Sequence, residues 1–316
     1  MKFTFLGTSA GKPTTERNVS ALALELDQDN KWYLFDCGEA TQHQLLHTPL
    51  SLNKLHSIFI THLHGDHYYG LLGLIASKTL ENSSSELTIY GPKGLEHFLE
   101  STVQTDYKQM SYKLRIVELE AGDQLQFDKF SLQVLNLHHS VESFAYAIKE
   151  HDITNRLNEK KLRAAGLEPS PLYAKLKSQA SITVDGKKFI SKEYMLEPIK
   201  GRYVIIAGDN QDPEIMQEAL NDLDLLIHEC TYTKEVYEAL PIKFLHTTAD
   251  SLGKSAQKHS IKNLIATHIS PRYSQKSLGV DILHDEIIQN YKGRSFIAHD
   301  FDTFQLSREK ILSKIN

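Results

Sequence analysis

Cysteine is nearly absent: Cys37 and Cys230 are the only two in 316 residues. That excludes a disulfide scaffold and makes a reducing, cytoplasmic setting the expectation. No apolar run approaches the length of a membrane span, and Met1 leads directly into KFTFLGT without the charged stretch and apolar plug of a secretory signal. No membrane association is therefore expected. A Pro- or Ser-rich linker is missing, as is any short-period repeat, so nothing in composition divides the chain into separate domains. An excess of positive charge is lacking too. With 35 Lys and Arg against 40 Asp and Glu, the net charge is −5, which on its own disfavours a polyanionic partner.

What is present is alternation. KFTFLGT, ALALEL, KWYLFDCG, LHSIFIT and ELTIYG are short, rich in β-branched or aromatic residues and bounded by turn formers, so they predict strands. EATQHQLLH, GLLGLIASKTL and KGLEHFLEST have the apolar spacing of helices. A second series of strands follows in LRIVEL, FSLQVLNLHH, YVIIAGDN, LDLLIHEC and NLIATHIS, with helical runs EIMQEAL and TADSLGKSAQKHS between them. Two such series predict two sheets packed face to face with helices outside, an α/β sandwich. Residues 149–202 break the rhythm. They hold 12 Lys and Arg against 7 Asp and Glu, so the chain's −5 divides into +5 there and −10 elsewhere. The segment also carries Pro169, Pro171, Pro198 and a turn signal at Asp185-Gly186. It is either a solvated surface insertion or a projecting basic arm that meets phosphates, and charge alone favours the former.

The chemistry concentrates at 59–70, FITHLHGDHYYG, where His62, His64, Asp66 and His67 fall within six positions. An extended chain delivers His62 and His64 to one side. Gly65 permits a sharp turn that brings Asp66 and His67 back toward the same centre. His nitrogens and Asp oxygens suit borderline divalent metals such as zinc, and four of them this close can serve two adjacent ions. Further ligands are expected where other apolar strands end: His138 or His139 after LQVLNL, Asp209 after YVIIAG and His268 after NLIAT. Singly, His268 could be a satisfied core histidine and Asp209 a cap for a helix near Pro213. Their joint placement favours a shared site.

The order THLHGDH, a later His, GD and then TH resembles the signature of the metallo-β-lactamase superfamily. Within it, the chain resembles the ribonuclease Z family of tRNA 3′-processing endonucleases nearly end to end. The matching text is FLGTSAGKPTTERN, WYLFDCGEATQHQLLHT, IFITHLHGDHYYGLLGL, LTIYGPKG, HHSVESFAY, HECTY, LHTTAD, ATHISPRY and AHDF. The resemblance implies one domain over 1–316, an αββα sandwich with a protruding basic arm inserted at about 149–202. It also selects His139 of the pair. By the same resemblance His62, His64 and His139 hold one Zn²⁺, Asp66, His67 and His268 hold a second, and Asp209 bridges them, with Mn²⁺ or another divalent ion as a substitute. Asp66 is implied as the base that acts on the nucleophile. His246, oriented by Glu229, is implied as the acid for the departing ribose 3′-oxygen. The arm is implied to grip precursor tRNA from a homodimer, with Lys175 and Lys177 in the arm and Arg17 and Asn18 in the amino-terminal loop as substrate contacts.

The sequence departs from the family pattern in places. EPSPLY has Ser170 where Gly usually precedes the proline. The loop Pro13 to Asn18 has Thr15 in place of Lys and gains Glu16, which weakens its attraction for a tRNA 3′ end and leaves the response to encoded CCA open. Asn210 follows Asp209 where Thr is usual, and Cys230, like Cys37, reads as a small buried hydrophobe. The competing readings are a 3′ exoribonuclease on structured RNA ends, a hydrolase of a small thioester or lactone on the same fold, and a catalytically idle RNA-binding module. A complete set of seven ligands argues against the last.

Overall fold

The computed structural model describes residues 1–27, 29–81, 83–102, 110–274 and 278–316. Among these, two large mixed sheets form. The first runs, edge to edge, Leu312–Lys314, Thr303–Leu306, Lys2–Gly7, Ala21–Glu25, Trp32–Phe35, Leu55–Phe59, Leu87–Gly91 and Leu114–Glu118. The second runs Arg294–Ile297, Asn263–Thr267, Leu225–Glu229, Tyr203–Ala207, Phe144–Glu150, Phe130–Asn136 and Gln124–Gln126. One half of each sheet is parallel, Trp32–Phe35 through Leu114–Glu118 in the first and Tyr203–Ala207 through Arg294–Ile297 in the second. Strands buried on both faces read as the continuous apolar runs seen in the sequence.

The core lies between the sheets. Phe3, Phe5, Phe35 and Phe59 from the first pack with Phe144, Tyr146, Val204 and Ile227 from the second. Phe59 stacks on Phe35 at 5.0 Å and on Tyr90 at 5.1 Å between ring centroids, pairs worth about 0.5–1.5 kcal/mol each beyond area burial. Separate apolar clusters join each outer face to its helices, Leu71–Leu80 and Leu95–Thr102 on one side, Ala249–Lys258 and Asp281–Asn290 on the other. This is the metallo-β-lactamase-type αββα sandwich.

One expected helix differs. EIMQEAL forms only the 3₁₀ turn Pro213–Met216, capped by Asp212, and Glu214 in it reaches Ser255, Lys258 and His259. That cap also disposes of Asp209 as the capping residue.

Glu150–Arg202 is a second compact unit. It has its own small core of Leu157, Leu162, Leu167, Leu176, Ile182, Phe189 and Tyr194. Strands Ser181–Val184 and Lys187–Ile190 form a hairpin whose two-residue turn, Asp185-Gly186, has φ of 49° and 76°. Positive φ at both positions is what a tight hairpin turn requires. Ser170 Oγ accepts from Leu172 N and Pro171 opens the helix Pro171–Ser178, so the Ser-Pro pair starts a helix without a glycine. Where the unit's chain enters and leaves, the buried Arg202 guanidinium grips Glu150 through Nε–Oε2 at 2.8 Å and Nη2–Oε1 at 2.7 Å.

Candidate metal centre

The strand Leu55–Phe59 stops two residues before Thr61, yet the chain stays extended through His62 and His64. His62 makes a single bridge to Ser143. Gly65 then opens the one-turn helix Gly65–Tyr68, which carries Asp66 and His67. Two backbone bonds anchor this turn to the first sheet, Cys37 N to His67 O at 2.7 Å and Gly70 N to Cys37 O at 2.9 Å. So close an approach leaves no room at Gly70, where a Cβ would lie 1.9 Å from the carbonyl oxygen of Gly38. Gly70→Ala is expected to cost about 3 kcal/mol of stability and to weaken metal binding, read by urea denaturation and by metal titration. A variant as stable as the wild type would show that the turn can shift freely.

The second sheet supplies the rest. His139 follows Phe130–Asn136, Asp209 follows Tyr203–Ala207, and His268 comes directly after Asn263–Thr267 with φ of 54°. A non-glycine residue in that region is strained, and here the strain turns the imidazole inward. Nitrogen faces nitrogen across the site: His64 Nδ1 lies 3.1 Å from His62 Nε2 and 3.1 Å from His139 Nε2, and the Nε2 atoms of His67 and His268 are 3.3 Å apart. Asp209 stands between the two groups. Its Oδ2 is 3.7 Å from His62 and 3.8 Å from His139, and its Oδ1 is 3.4 Å from both His67 and His268. His62, His64, His139 and Asp209 form one set able to hold a metal ion, and Asp66, His67 and His268 form another. His138, by contrast, is exposed.

Four of the five histidines commit their outer nitrogen. Nδ1 of His62 meets Thr61 Oγ1, that of His67 meets Asp36 Oδ2, that of His139 meets Leu245 O and that of His268 meets Thr231 Oγ1. Fixing one ring nitrogen outward aims the other at the centre, the usual arrangement around a bound metal. Asp36 does more, accepting from Thr61 N at 2.8 Å and from its hydroxyl at 3.0 Å. The sequence reading did not single out Asp36 or Thr231. Asp36 obeys the same rule as Asp209, a carboxylate just past an apolar strand, but in FDCG it stands without a neighbouring histidine to mark it.

The donor set fits a cation. Asp209 Oδ1 is buried with no hydrogen-bond partner, and a buried polar atom left without one is costly. His67 is pulled down by burial, but Asp36, Asp209 and Asp66 override this and hold its pKa well above the imidazole range. Burial raises the Asp66 carboxyl, yet His67 and His268 keep it well below the usual carboxylate range. His62, fully buried and facing three other imidazoles, is pushed well down. A site that gathers carboxylates and imidazoles this closely is one that a divalent ion would stabilise.

Beside this centre lies a buried carboxylate–imidazole pair. His246 Nδ1 is 3.0 Å from Glu229 Oε2 and 3.7 Å from Asp209 Oδ2. Glu229 also accepts from Asn210 N at 2.6 Å and from Thr231 Oγ1 at 2.5 Å. Burial raises the Glu229 carboxyl, but His246 and the bonds to it win, leaving it at about 2. Burial lowers His246, and Glu229 reverses that to about 9. Asn210 is structural: its side chain accepts from His138 N and donates to Asp212 O. Both cysteines are buried, and burial pushes the Cys37 thiol up to about 12.

The four expected substrate contacts are placed differently from one another. Lys175 and Lys177 are exposed on the last turn of Pro171–Ser178. Asn18 is half-buried and its Nδ2 donates to Glu39 O. Arg17 is buried, its Nη1 donating to Thr8 Oγ1 at 2.7 Å and Ala298 O at 2.6 Å, so it braces the amino-terminal loop from inside. That geometry does not present Arg17 as a surface contact.

The chain is 38% identical to a ribonuclease Z of Marinobacter nauticus over 321 aligned positions, covering 100% of this chain and 99% of the relative. The chain belongs to the ribonuclease Z family. A Bacillus subtilis ribonuclease Z is 39% identical over 275 positions, 86% of this chain and 89% of its own. The family model described as anti-Pycsar protein Apyc1 matches residues 1–156, short of Asp209, Glu229, His246 and His268. Among solved structures, the human short-form tRNase Z superposes with a TM-score of 0.67 at 24% identity, over 97% of this chain and 100% of that one. YhfI of Bacillus subtilis, a metallo-β-lactamase fold protein, superposes with 0.64 at 19% over 96% and 98%. At those identities the two likenesses speak for the fold alone.

Proposed function

We propose that this chain is a metal-dependent phosphodiesterase that removes 3′ trailers from precursor tRNA by cutting after the discriminator nucleotide. The observation that carries the reading is the Glu229–His246 pair beside a two-set metal centre in a ribonuclease Z family member. A proton donor fixed next to metal ligands suits a reaction whose leaving group is an alkoxide.

His62, His64 and His139 would hold one zinc ion, Asp66, His67 and His268 a second, with Asp209 shared. Such a pair supplies Lewis acidity and concentrated positive charge at a scissile phosphate. The chain's own groups do the rest. Asp66, its Oδ2 also held by Gly11 N at 2.8 Å, orients the attacking water and takes its proton. The water oxygen joins phosphorus as the bond to the 3′-oxygen breaks. Glu229 occupies Nδ1 of His246, which leaves Nε2 to hand a proton to that departing oxygen. The products are a tRNA 3′-hydroxyl and a trailer 5′-phosphate.

Glu150–Arg202 is proposed as the arm that holds the tRNA body, with Lys175 and Lys177 meeting phosphates. Its +5 charge over 149–202, on a chain of net −5, supports an RNA contact there. Asn18 is kept as a contact near the cleaved end, and a cytoplasmic homodimer completes the reading. No described helix is long and apolar enough to cross a membrane.

The test is cleavage of a 5′-labelled, 3′-extended precursor tRNA by wild type and Asp66→Ala, with Zn²⁺ or Mn²⁺ and a chelator control. One metal-dependent product ending at the discriminator, lost in Asp66→Ala, is expected. A ladder of shortened products would turn the reading to an exonuclease, and thioester hydrolysis without RNA cleavage would sink it. Light scattering on the same preparation reads the subunit number.

A further inference from the structure

Among the described residues, only two Phe, Tyr or Trp side chains are exposed, Tyr69 at 52% and Phe244 at 54%. Neither position is arbitrary. Tyr69 lies two residues past His67, and Phe244 two residues before His246. The loop carrying Phe244 is tied to the site by its backbone: Phe244 O accepts from His246 N at 2.9 Å and from Tyr237 Oη at 3.0 Å, and Leu245 O meets His139 Nδ1 at 2.9 Å. Lys243 lies over the Tyr237 ring at 4.9 Å, further holding the loop, and Ile242 beside it is 65% exposed. A large apolar ring is thus kept in water by a scaffold that ends on a metal-site histidine and on the proposed proton donor. Apart from Tyr69, the Phe and Tyr side chains elsewhere among the described residues are buried or partly buried.

An unpaired RNA nucleotide presents a flat apolar face, and proteins that bind unpaired nucleotides commonly stack such faces on exposed aromatic rings. Resting on the proposed cleavage, we infer that Phe244 is a specificity-determining residue that stacks on the base of the discriminator nucleotide. The side of the cut follows from chemistry. His246 delivers its proton to the 3′-oxygen, which belongs to the discriminator ribose, so a ring two residues from His246 stands on the leaving-group side. Tyr69, attached to the other metal-ligand set, is on the loop that carries the proposed base.

Stacking predicts dependence on a base and not merely on the ring. Wild type, Phe244→Ala and Phe244→Trp would each be given three precursor tRNAs: intact, abasic at the discriminator, and abasic at the first trailer nucleotide. On intact RNA, Phe244→Ala is expected to lower kcat/KM about tenfold and Phe244→Trp to keep it. The difference between wild type and Phe244→Ala should disappear on the discriminator-abasic RNA and persist on the trailer-abasic one. An equal loss on all three RNAs would make the ring a structural element, or part of a subunit contact if the mass changes as well, and would overturn the inference. Disappearance of the difference only on the trailer-abasic RNA would overturn it too, by placing the ring on the other side of the cut. If wild type fails to cut intact RNA, the proposed function falls and takes this inference with it; the preceding outcomes remove the inference alone.

Discussion

Asp209→Ala is expected to lower single-turnover cleavage of precursor tRNA by at least about 10³-fold and to leave the protein short of bound metal. Asp209 lies between the two donor sets, with each of its carboxylate oxygens facing two imidazoles. Its loss therefore weakens both sets at once, unlike removal of a ligand from one set. Stability should respond in opposite directions with and without metal. In metal-free protein, Asp209 Oδ1 is a buried oxygen without a hydrogen-bond partner, so Asp209→Ala should melt at or above the wild-type temperature. With metal at about 1,000 times its Kd, the wild type gains about 4 kcal/mol that the variant lacks, and the order reverses. Calorimetry with and without chelator, with metal content by atomic emission, reads both. Full metal content and activity within tenfold of wild type would remove Asp209 from the centre.

His246→Asn should behave otherwise. Metal content and melting temperature are expected to stay near wild type: His246 could join Asp209 and His268 in a third set, but its Nδ1 is taken up by Glu229 at 3.0 Å. The rate should fall about 10²–10⁴-fold, the usual range for loss of a positioned proton donor. What marks a proton donor is the dependence on leaving group. With a 4-nitrophenyl phosphodiester, whose phenolate departs without a proton, the loss should shrink to a small factor. Glu229→Gln should share part of the defect, since Glu229 both orients the ring and raises its pKa to about 9. If His246→Asn slowed both substrates equally, its role would be positional rather than acid catalysis.

Much of the centre was legible because its ligands obey one local rule: a polar residue placed just past an apolar strand. His62, Asp209 and His268 satisfy it, and the two-sheet sandwich then brings those strand ends together. The paired use of His62 and His64 survives although the strand ends at Phe59, since the backbone remains extended beyond the ladder. Asp36 was missed because a lone Asp in a turn has many uses, and only the fold puts its carboxylate 2.7 Å from His67. Arg17 misled in the opposite direction. An arginine in a polar loop reads as exposed, whereas Thr8 and Ala298, one nearby and one far along the chain, draw its guanidinium inward. EIMQEAL has helical spacing, yet only Pro213–Met216 closes into a turn, with Glu214 held by residues some forty positions away. Each of these differences involves at least one partner far along the chain: His67 for Asp36, Ala298 for Arg17 and Ser255 for Glu214.

The ligands come from both sheets, and this sets an order of events during synthesis. When the ribosome has made the first seventy residues, four of the seven side chains exist, but His139, Asp209 and His268 do not. A nascent chain can offer the metals only a partial, unshaped grip. The centre can close only after position 268 has cleared the exit tunnel and its strand, Asn263–Thr267, has joined Leu225–Glu229. Loading is therefore a late event, and a chain that stalls before that point carries an open cluster of histidines rather than a working nuclease.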